Sequence, residues 1–317
     1  MTRVAAFDCG TNSLRLLIAD LDPATGGMTE LVREMRIVRL GQGVDRTGRI
    51  SEESMARTFA ALDEYADLVA EHHPERLRFC ATSAARDAAN AADFMAGVRR
   101  RVGVEPEVID GDEEARASYA GATRVHGDVP GPVLVMDIGG GSTELILGTS
   151  GAPDRPAEVL VAESLDVGSV RLTERHLHDD PPTEEQVKAL CADVDAVLDD
   201  CRVDPALART VVGVAGTVTT VAAGALGLPA YDRERIHLAR LDRDLVHRTV
   251  DRLVAMSVEE RRGLGYMHPG RADVIGGGAL ILERVLERTQ ARELVVSESD
   301  ILDGIAWSCV EISDEGN

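Results

Sequence analysis

The sequence predicts an α/β protein of two domains, and three observations carry that expectation. The chain has 317 residues, more than one hydrophobic core comfortably encloses. Short apolar runs alternate along it with longer helix-like stretches, the pattern of α/β layers. One motif also occurs twice: VAAFDCGTNSLRLLIADLD, residues 4–22, laid over VLVMDIGGGSTELILGTSG, residues 133–151, aligns Asp8 with Asp137, Gly10 with Gly139 and Ser13 with Ser142.

In each copy a four-residue apolar strand ends in Asp-x-Gly, a polar or glycine turn follows, and a second apolar run leaves the turn. That is the signature of a β-hairpin. Between the copies the pattern predicts helices over 51–72 and 87–101 and strands in LRFCAT and PEVI. After the second copy come a strand in TVVGVAG, a long helix over 241–257, the helix-like GGGALILERVLE and a strand in ELVVSES. The Gly/Pro-rich HGDVPGP, residues 126–132, marks the domain boundary, and TSGAPDRPA has the composition of a loop between strands.

Composition narrows the function. With 44% apolar and only 3% aromatic residues, the core should be aliphatic. No apolar run approaches the roughly 20 residues of a membrane helix, and the N-terminus enters a strand-like VAAF with no signal-peptide pattern. A cytoplasmic protein that does not bind membranes is expected. The five cysteines, Cys9, Cys80, Cys191, Cys201 and Cys309, are odd in number, scattered and without a CxxC, which argues for reduced buried thiols. A formal charge of −21 argues against nucleic-acid binding, which needs a basic face. An anionic small substrate remains open, because screening confines surface repulsion to about 8 Å. Local arginines or a metal then suffice.

The glycine turns point to phosphate. Successive backbone N–H groups in a glycine turn form a nest for anion oxygens, and the missing Cβ lets the ligand approach. The Gly-Lys-Ser/Thr ending of a Walker loop is absent and no helix opens after the glycines, so neither a P-loop nor a dinucleotide fingerprint applies. Asp8 and Asp137 end their strands beside these turns. A carboxylate near a phosphate is repulsive unless a cation lies between them, and Mg²⁺ uses one or two carboxylates plus substrate oxygens and water. The countercharge should therefore be a metal ion supplemented by arginine.

The paired motifs resemble the two phosphate loops of the actin-like ATPase and sugar-kinase superfamily. Within it, the order DCGTNSLRLLIAD, CATSAARDAAN, DGDEEARASYAG, MDIGGGSTELILG, GVAGTVTT, GRADVIGGGALILERV and VSESDILDGI resembles the exopolyphosphatase and guanosine pentaphosphate phosphohydrolase family nearly end to end. The resemblance implies two actin-like, ribonuclease H-like domains with an interdomain cleft: residues 1–127, completed by a C-terminal helix over about 299–317, and residues 128–298. It also implies Mg²⁺-dependent removal of a terminal phosphate, with Mn²⁺ as an alternative metal, from inorganic polyphosphate or guanosine pentaphosphate, by a homodimer.

Roles follow from the same resemblance. The catalytic glutamate falls on Glu114; adjacent helix positions point about 100° apart, so only one of Glu113 and Glu114 can face the site. Arg86 matches a phosphate-contacting arginine, whose planar fork suits phosphate oxygens, and Arg271 matches a position near the substrate channel. The metal falls to Asp8, Asp137 and Glu144. Gly10, Thr11, Asn12 and Ser13 would donate from the first loop, and Gly139, Gly140, Gly141 and Ser142 from the second. Gly216 and Thr217 stand at a helix start suited to an anion, while the glycines at 276–278 fit either a nucleotide site or helix packing. Arg15, Arg116 and Arg171 read as surface arginines. An ATP-dependent kinase of the superfamily is the remaining alternative. Longer family members carry a helical extension beyond the position of Asn317, which leads to the expectation of short-chain preference with product release between cleavages.

Overall fold

The computed structural model describes residues 1–124, 129–151 and 157–311. The expected boundary at 127/128, residues 152–156 of the TSGAPDRPA loop and residues 312–317 of the expected last helix lie outside the described residues. Two compact units are present: Met1–Gly121 with the segment from Ile301 onward, and Ala122–Asp300.

The first unit runs β1 (Thr2–Cys9), β2 (Ser13–Asp22), β3 (Gly27–Ile37), α1 (Val44–Thr47), α2 (Glu52–His72), β4 (Arg76–Ala81), α3 (Ser83–Arg86), α4 (Ala91–Val102), β5 (Glu107–Val108) and α5 (Gly111–Thr123). Its sheet has the order β3-β2-β1-β4-β5, with β1 antiparallel to β2 and parallel to β4. Because β1 is central and covered on both faces, its sequence is apolar without alternation. Ala5, Phe7 and Cys9 enter one cluster with Leu62, Tyr65 and Phe94. Val4 and Ala6 enter another with Leu302, Ile305 and Trp307 from the last helix.

The second unit runs β6 (Val133–Ile138), β7 (Thr143–Thr149), β8 (Glu158–Leu165), α6 (Ser169–His176), α7 (Glu184–Asp199), β9 (Thr210–Val214), α8 (Ala215–Ala225), α9 (Arg233–Ile236), β10 (Arg240–Asp242), α10 (Arg243–Ala255), α11 (Val258–Arg262), α12 (Ile275–Glu287) and β11 (Glu293–Val296). Helix α13 (Ile301–Glu311) then belongs to the first unit. The second sheet is ordered β10-β11-β9-β6-β7-β8. Read from β8, it repeats the first sheet strand for strand and adds β10 at the far edge. The duplicated motif thus occupies the same place in both sheets: β1–β2 in one, β6–β7 in the other. Leu134, Met136 and Ile138 of β6 pack with Leu190 and Val194 of α7 and Ile281 and Val285 of α12.

The mixed α/β fold with two sheets is as the sequence predicts; two helix starts differ. The helix expected from 87 begins at Ala91, because Ser83–Arg86 forms its own turn and Asn90 is spent on Ile50, accepting from its N–H and donating to its C=O, both at 2.9 Å. The helix expected from 241 begins at Arg243. Asp242 caps it by accepting from the Asp244 and Leu245 amides, and Arg240–Asp242 pairs with β11 instead. All five cysteines are free thiols; Cys9, Cys80 and Cys309 are buried, whereas Cys191 and Cys201 are half-buried. Burial pushes the Cys9 thiol well above its ordinary range, in keeping with a core role.

Candidate active site

In the first unit the turn Gly10–Asn12 is closed by the Gly10 amide donating to the Ser13 carbonyl at 3.0 Å. The carbonyls of the turn are drawn onto the segment after β3. Thr11 O accepts from Gly41 N at 2.8 Å, and Asn12 O accepts from Val38 N and Arg39 N at 3.0 and 2.9 Å. Arg39 adopts φ 51° to make this contact, and a Cβ on Gly41 would lie 2.4 Å from the Thr11 methyl. The Thr11 hydroxyl is itself held by Ser83 Oγ at 2.8 Å. Among the described residues no acceptor lies against the amides of Thr11 and Asn12, so they remain available to a ligand.

Asp8, 7% exposed, is the penultimate residue of β1, and its cross-strand partner on β2 is Arg15. Directly opposed residues share a sheet face, and Arg15 Nη1 stands 3.4 Å from Asp8 Oδ2. Arg15 is therefore not the surface arginine expected. At the start of α5, Asp110 Oδ1 accepts from the Glu113 amide at 2.8 Å. The two acids that follow then part as helix geometry requires. Glu113 is hydrogen-bonded to Arg78, which also grips Glu107 at 2.7 Å. Glu114, 7% exposed, accepts from Arg86 Nη1 at 2.9 Å, and the same nitrogen donates to Ile109 O at 3.0 Å. Arg86 and Glu114, far apart in sequence, are thus one unit. Arg116 is exposed, as expected.

In the second unit the turn Gly139–Ser142 is closed in the same way, Gly139 N to Ser142 O at 3.0 Å. Its carbonyls are taken by the start of α6: Ser169 N donates to Gly139 O at 2.9 Å, and Val170 N and Arg171 N donate to Gly140 O at 2.8 and 3.1 Å. Arg171 Nε donates to Gly141 O at 2.7 Å. Its side chain is only 12% exposed, which corrects the surface reading. Gly168 must be glycine here, since a Cβ would meet the Gly140 carbonyl carbon and oxygen at 2.5 Å. Among the described residues the amides of Gly140, Gly141 and Ser142 have no acceptor.

Asp137, 6% exposed, is paired across the strands with Glu144, 1% exposed. Glu144 in turn stands opposite Ser164 on β8, whose hydroxyl donates to Glu144 Oε1 at 2.8 Å. Of the carboxylates expected at a metal, these two are placed side by side, whereas Asp8 stands opposite Arg15. Among the described residues no group of three or more His, Cys, Asp or Glu is gathered into a metal-binding cluster.

Gly216 and Thr217 lie in the first turn of α8, whose first residue, Ala215, is left-handed at φ 65°. The Arg271 guanidinium lies directly on Gly216, where a Cβ would be 2.4 Å from its Cζ. These three expected residues are therefore together. Gly277 and Gly278 press on Thr173 Oγ1 and Thr217 Oγ1, at 2.5 and 2.6 Å from a built Cβ. They are the contact by which α12 packs on α6 and α8, so helix packing accounts for them. Sequence reasoning missed the positions of Arg15 and Arg171. For Arg15 the signal was available, because the repeat that aligns Asp8 with Asp137 also aligns Arg15 with Glu144.

Residues 17–311 match the Ppx/GppA phosphatase family. The chain is 48% identical to Exopolyphosphatase 2 of Mycobacterium tuberculosis, across 97% of this chain and 98% of that protein. Among solved structures, it superposes on a crystal structure described as an exopolyphosphatase-like protein with a TM-score of 0.90 at 46% identity, covering 96% and 98% of the two chains. It also superposes on the Ppx/GppA protein of Aquifex aeolicus with a TM-score of 0.81 at 33% identity, covering 100% and 99%. The chain belongs to the Ppx/GppA phosphatase family.

Proposed function

We propose that this phosphatase is an exopolyphosphatase that hydrolyses the terminal phosphoanhydride bond of inorganic polyphosphate with Mg²⁺, or Mn²⁺ in its place. One observation carries the reading most directly: two turns closed by the same hydrogen bond, each with carbonyls tied back and with amides that have no acceptor among the described residues. A linear polyanion has many equivalent oxygens for such donors, and no base or sugar is needed for the fit.

The division of labour follows from the side chains. Glu114 serves as the general base that takes a proton from the attacking water. Arg86, already bonded to Glu114, sets the orientation of the carboxylate and offers its remaining N–H groups to the phosphoryl oxygens, where charge-assisted bonds are strongest. The amides of Thr11 and Asn12 in the first unit, and of Gly140, Gly141 and Ser142 in the second, hold phosphate oxygens. The Ser13 hydroxyl and the Gly10 turn complete the first loop. Gly216, Thr217 and Arg271 supply a further anion contact in the second unit.

Asp137 and Glu144 fit a small hard cation: they are carboxylates, buried, and directly opposed across antiparallel strands, and Mg²⁺ needs only one or two such ligands beside water and phosphate oxygens. When bound there, the metal neutralises charge on the phosphate chain. Asp8 is answered by Arg15 and is given an electrostatic role beside the water. The reading includes a homodimer, an inference from the family resemblance, in the cytoplasm, an inference from the sequence pattern. No helix among the described residues is long and apolar enough to cross a membrane.

The test is orthophosphate release from polyphosphate, guanosine pentaphosphate and ATP in parallel, with and without Mg²⁺. Mg²⁺-dependent release from polyphosphate is expected to dominate. Release from guanosine pentaphosphate or ATP, with polyphosphate untouched, would overturn the substrate assignment.

A further inference from the structure

We propose that Arg171 is a positioning residue for the second phosphate-binding turn: through the Gly141 carbonyl it aims the Ser142 amide at a substrate oxygen. The proposal rests on the phosphate-binding role of that turn given above.

Planarity of the peptide sets the direction of the turn's amides. In a trans peptide the C=O of one residue and the N–H of the next are fixed in opposite directions. Tying back the carbonyls of Gly139, Gly140 and Gly141 therefore fixes the outward direction of the amides of Gly140, Gly141 and Ser142, the three that lack an acceptor among the described residues. The first two carbonyls are held by backbone amides of α6, from Ser169, Val170 and Arg171. The third is held by a side chain, Arg171 Nε at 2.7 Å. The first unit manages its own turn with backbone donors from Val38, Arg39 and Gly41. Arg171 is thus a side chain doing in one turn what the backbone does in the other, and its role can be removed by substitution.

The side chain is also held rigidly enough to act in this way. Its own amide is part of the latch, donating to Gly140 O at 3.1 Å. The close approach of α6 depends on Gly168, which leaves no room for a Cβ against the Gly140 backbone. A guanidinium on a freely rotating surface chain would spend little time on one carbonyl; one that is 12% exposed has few other rotamers open to it.

Two substitutions separate the hydrogen bond from the charge. In Arg171→Gln the amide nitrogen Nε2 lies the same number of bonds from Cα as the arginine Nε, so the donor is kept and the charge lost. Arg171→Met keeps a similar length and apolar stem with no donor. Binding of the imido analogue of inorganic tripolyphosphate, which resists hydrolysis, is measured by calorimetry, with thermal melting of each protein alongside. Arg171→Met is expected to bind about tenfold more weakly than the parent, and Arg171→Gln within about threefold of it, the size of one hydrogen bond to a charged group.

Equal weakening of both variants would show that the charge matters and not the carbonyl bond, and would overturn the proposal. Unchanged binding by Arg171→Met would do so as well. Loss of folding in either variant would make the contact a scaffold element and remove the positioning role. If the parent binds the analogue yet releases no phosphate from polyphosphate, the substrate assignment fails while the Arg171 comparison still stands on binding alone.

Discussion

In the first unit the residue directly opposite Asp8 is Arg15, whereas in the second the residue directly opposite Asp137 is Glu144. The order of the five corresponding strands and the closing hydrogen bond of the turn are the same, whereas the turn carbonyls are held by the segment after β3 in one unit and by α6 with the Arg171 side chain in the other. An exchange of sign across the strands thus accompanies two hairpins that share the same closing bond. The first carries its own cation, partly buried at 3.4 Å from the carboxylate. In the second, two buried carboxylates are directly opposed across the strands. On the function proposed above, the duplicated fold keeps one design of turn and varies what neutralises it: an arginine in one copy and, as proposed, a divalent ion in the other.

The largest effect is expected in the first unit and should owe nothing to metal. Glu114→Gln keeps the shape and the bond to Arg86 but cannot accept a proton from water, so turnover should fall by 10² or more with polyphosphate still bound. The loss should be the same at every Mg²⁺ concentration. Near-normal turnover would move the base elsewhere and leave the first unit with binding alone.

Next in size is the contrast between two glycines that occupy matching roles. In Gly168→Ala the new methyl meets backbone atoms of Gly140, which cannot move without reshaping the turn; in Gly41→Ala it meets the Thr11 methyl. Overpacking costs roughly 1–3 kcal/mol. Gly168→Ala should lie at the upper end with activity reduced more than tenfold, and Gly41→Ala at the lower end with a smaller loss. The reverse ranking, from melting curves and steady-state rates, would mean that the two turns are not braced alike.

The smallest effect concerns Arg15. An ion pair of this kind contributes about 1 kcal/mol, so Arg15→Met should lower the melting temperature by about 2–4 °C and leave the Mg²⁺ concentration for half-maximal activity where it was. A large shift in that concentration would tie Arg15, and Asp8 with it, to the metal.

Much of this was legible in the sequence because the decisive features are local. The repeat of Asp-x-Gly predicted two hairpins, and the alternation of strand and helix predicted the α/β layers. The parting of Glu113 and Glu114 could be foreseen as a geometric necessity, though their ion-pair partners, Arg78 for the first and Arg86 for the second, could not. Contacts set by distant segments were out of reach. Nothing near Arg171 in sequence says that its side chain will cap Gly141, thirty residues earlier, since that depends on where β8 delivers α6. Asn90 reads as a helix residue until its bonds to Ile50 are seen. The glycines at 276–278 read equally as a ligand cradle or a packing surface until Arg261, Thr173 and Thr217 are found against them in turn.

The contrast between the hairpins is met most directly by calorimetric titration of Mg²⁺, in the presence of the imido analogue of tripolyphosphate, into the parent protein, Asp137→Asn and Asp8→Asn. Mg²⁺ binding should be lost or weakened at least tenfold in Asp137→Asn and retained in Asp8→Asn. Retention in Asp137→Asn with loss in Asp8→Asn would place the cation at the first hairpin and contradict the assignment of Arg15 and the metal to different copies of the motif.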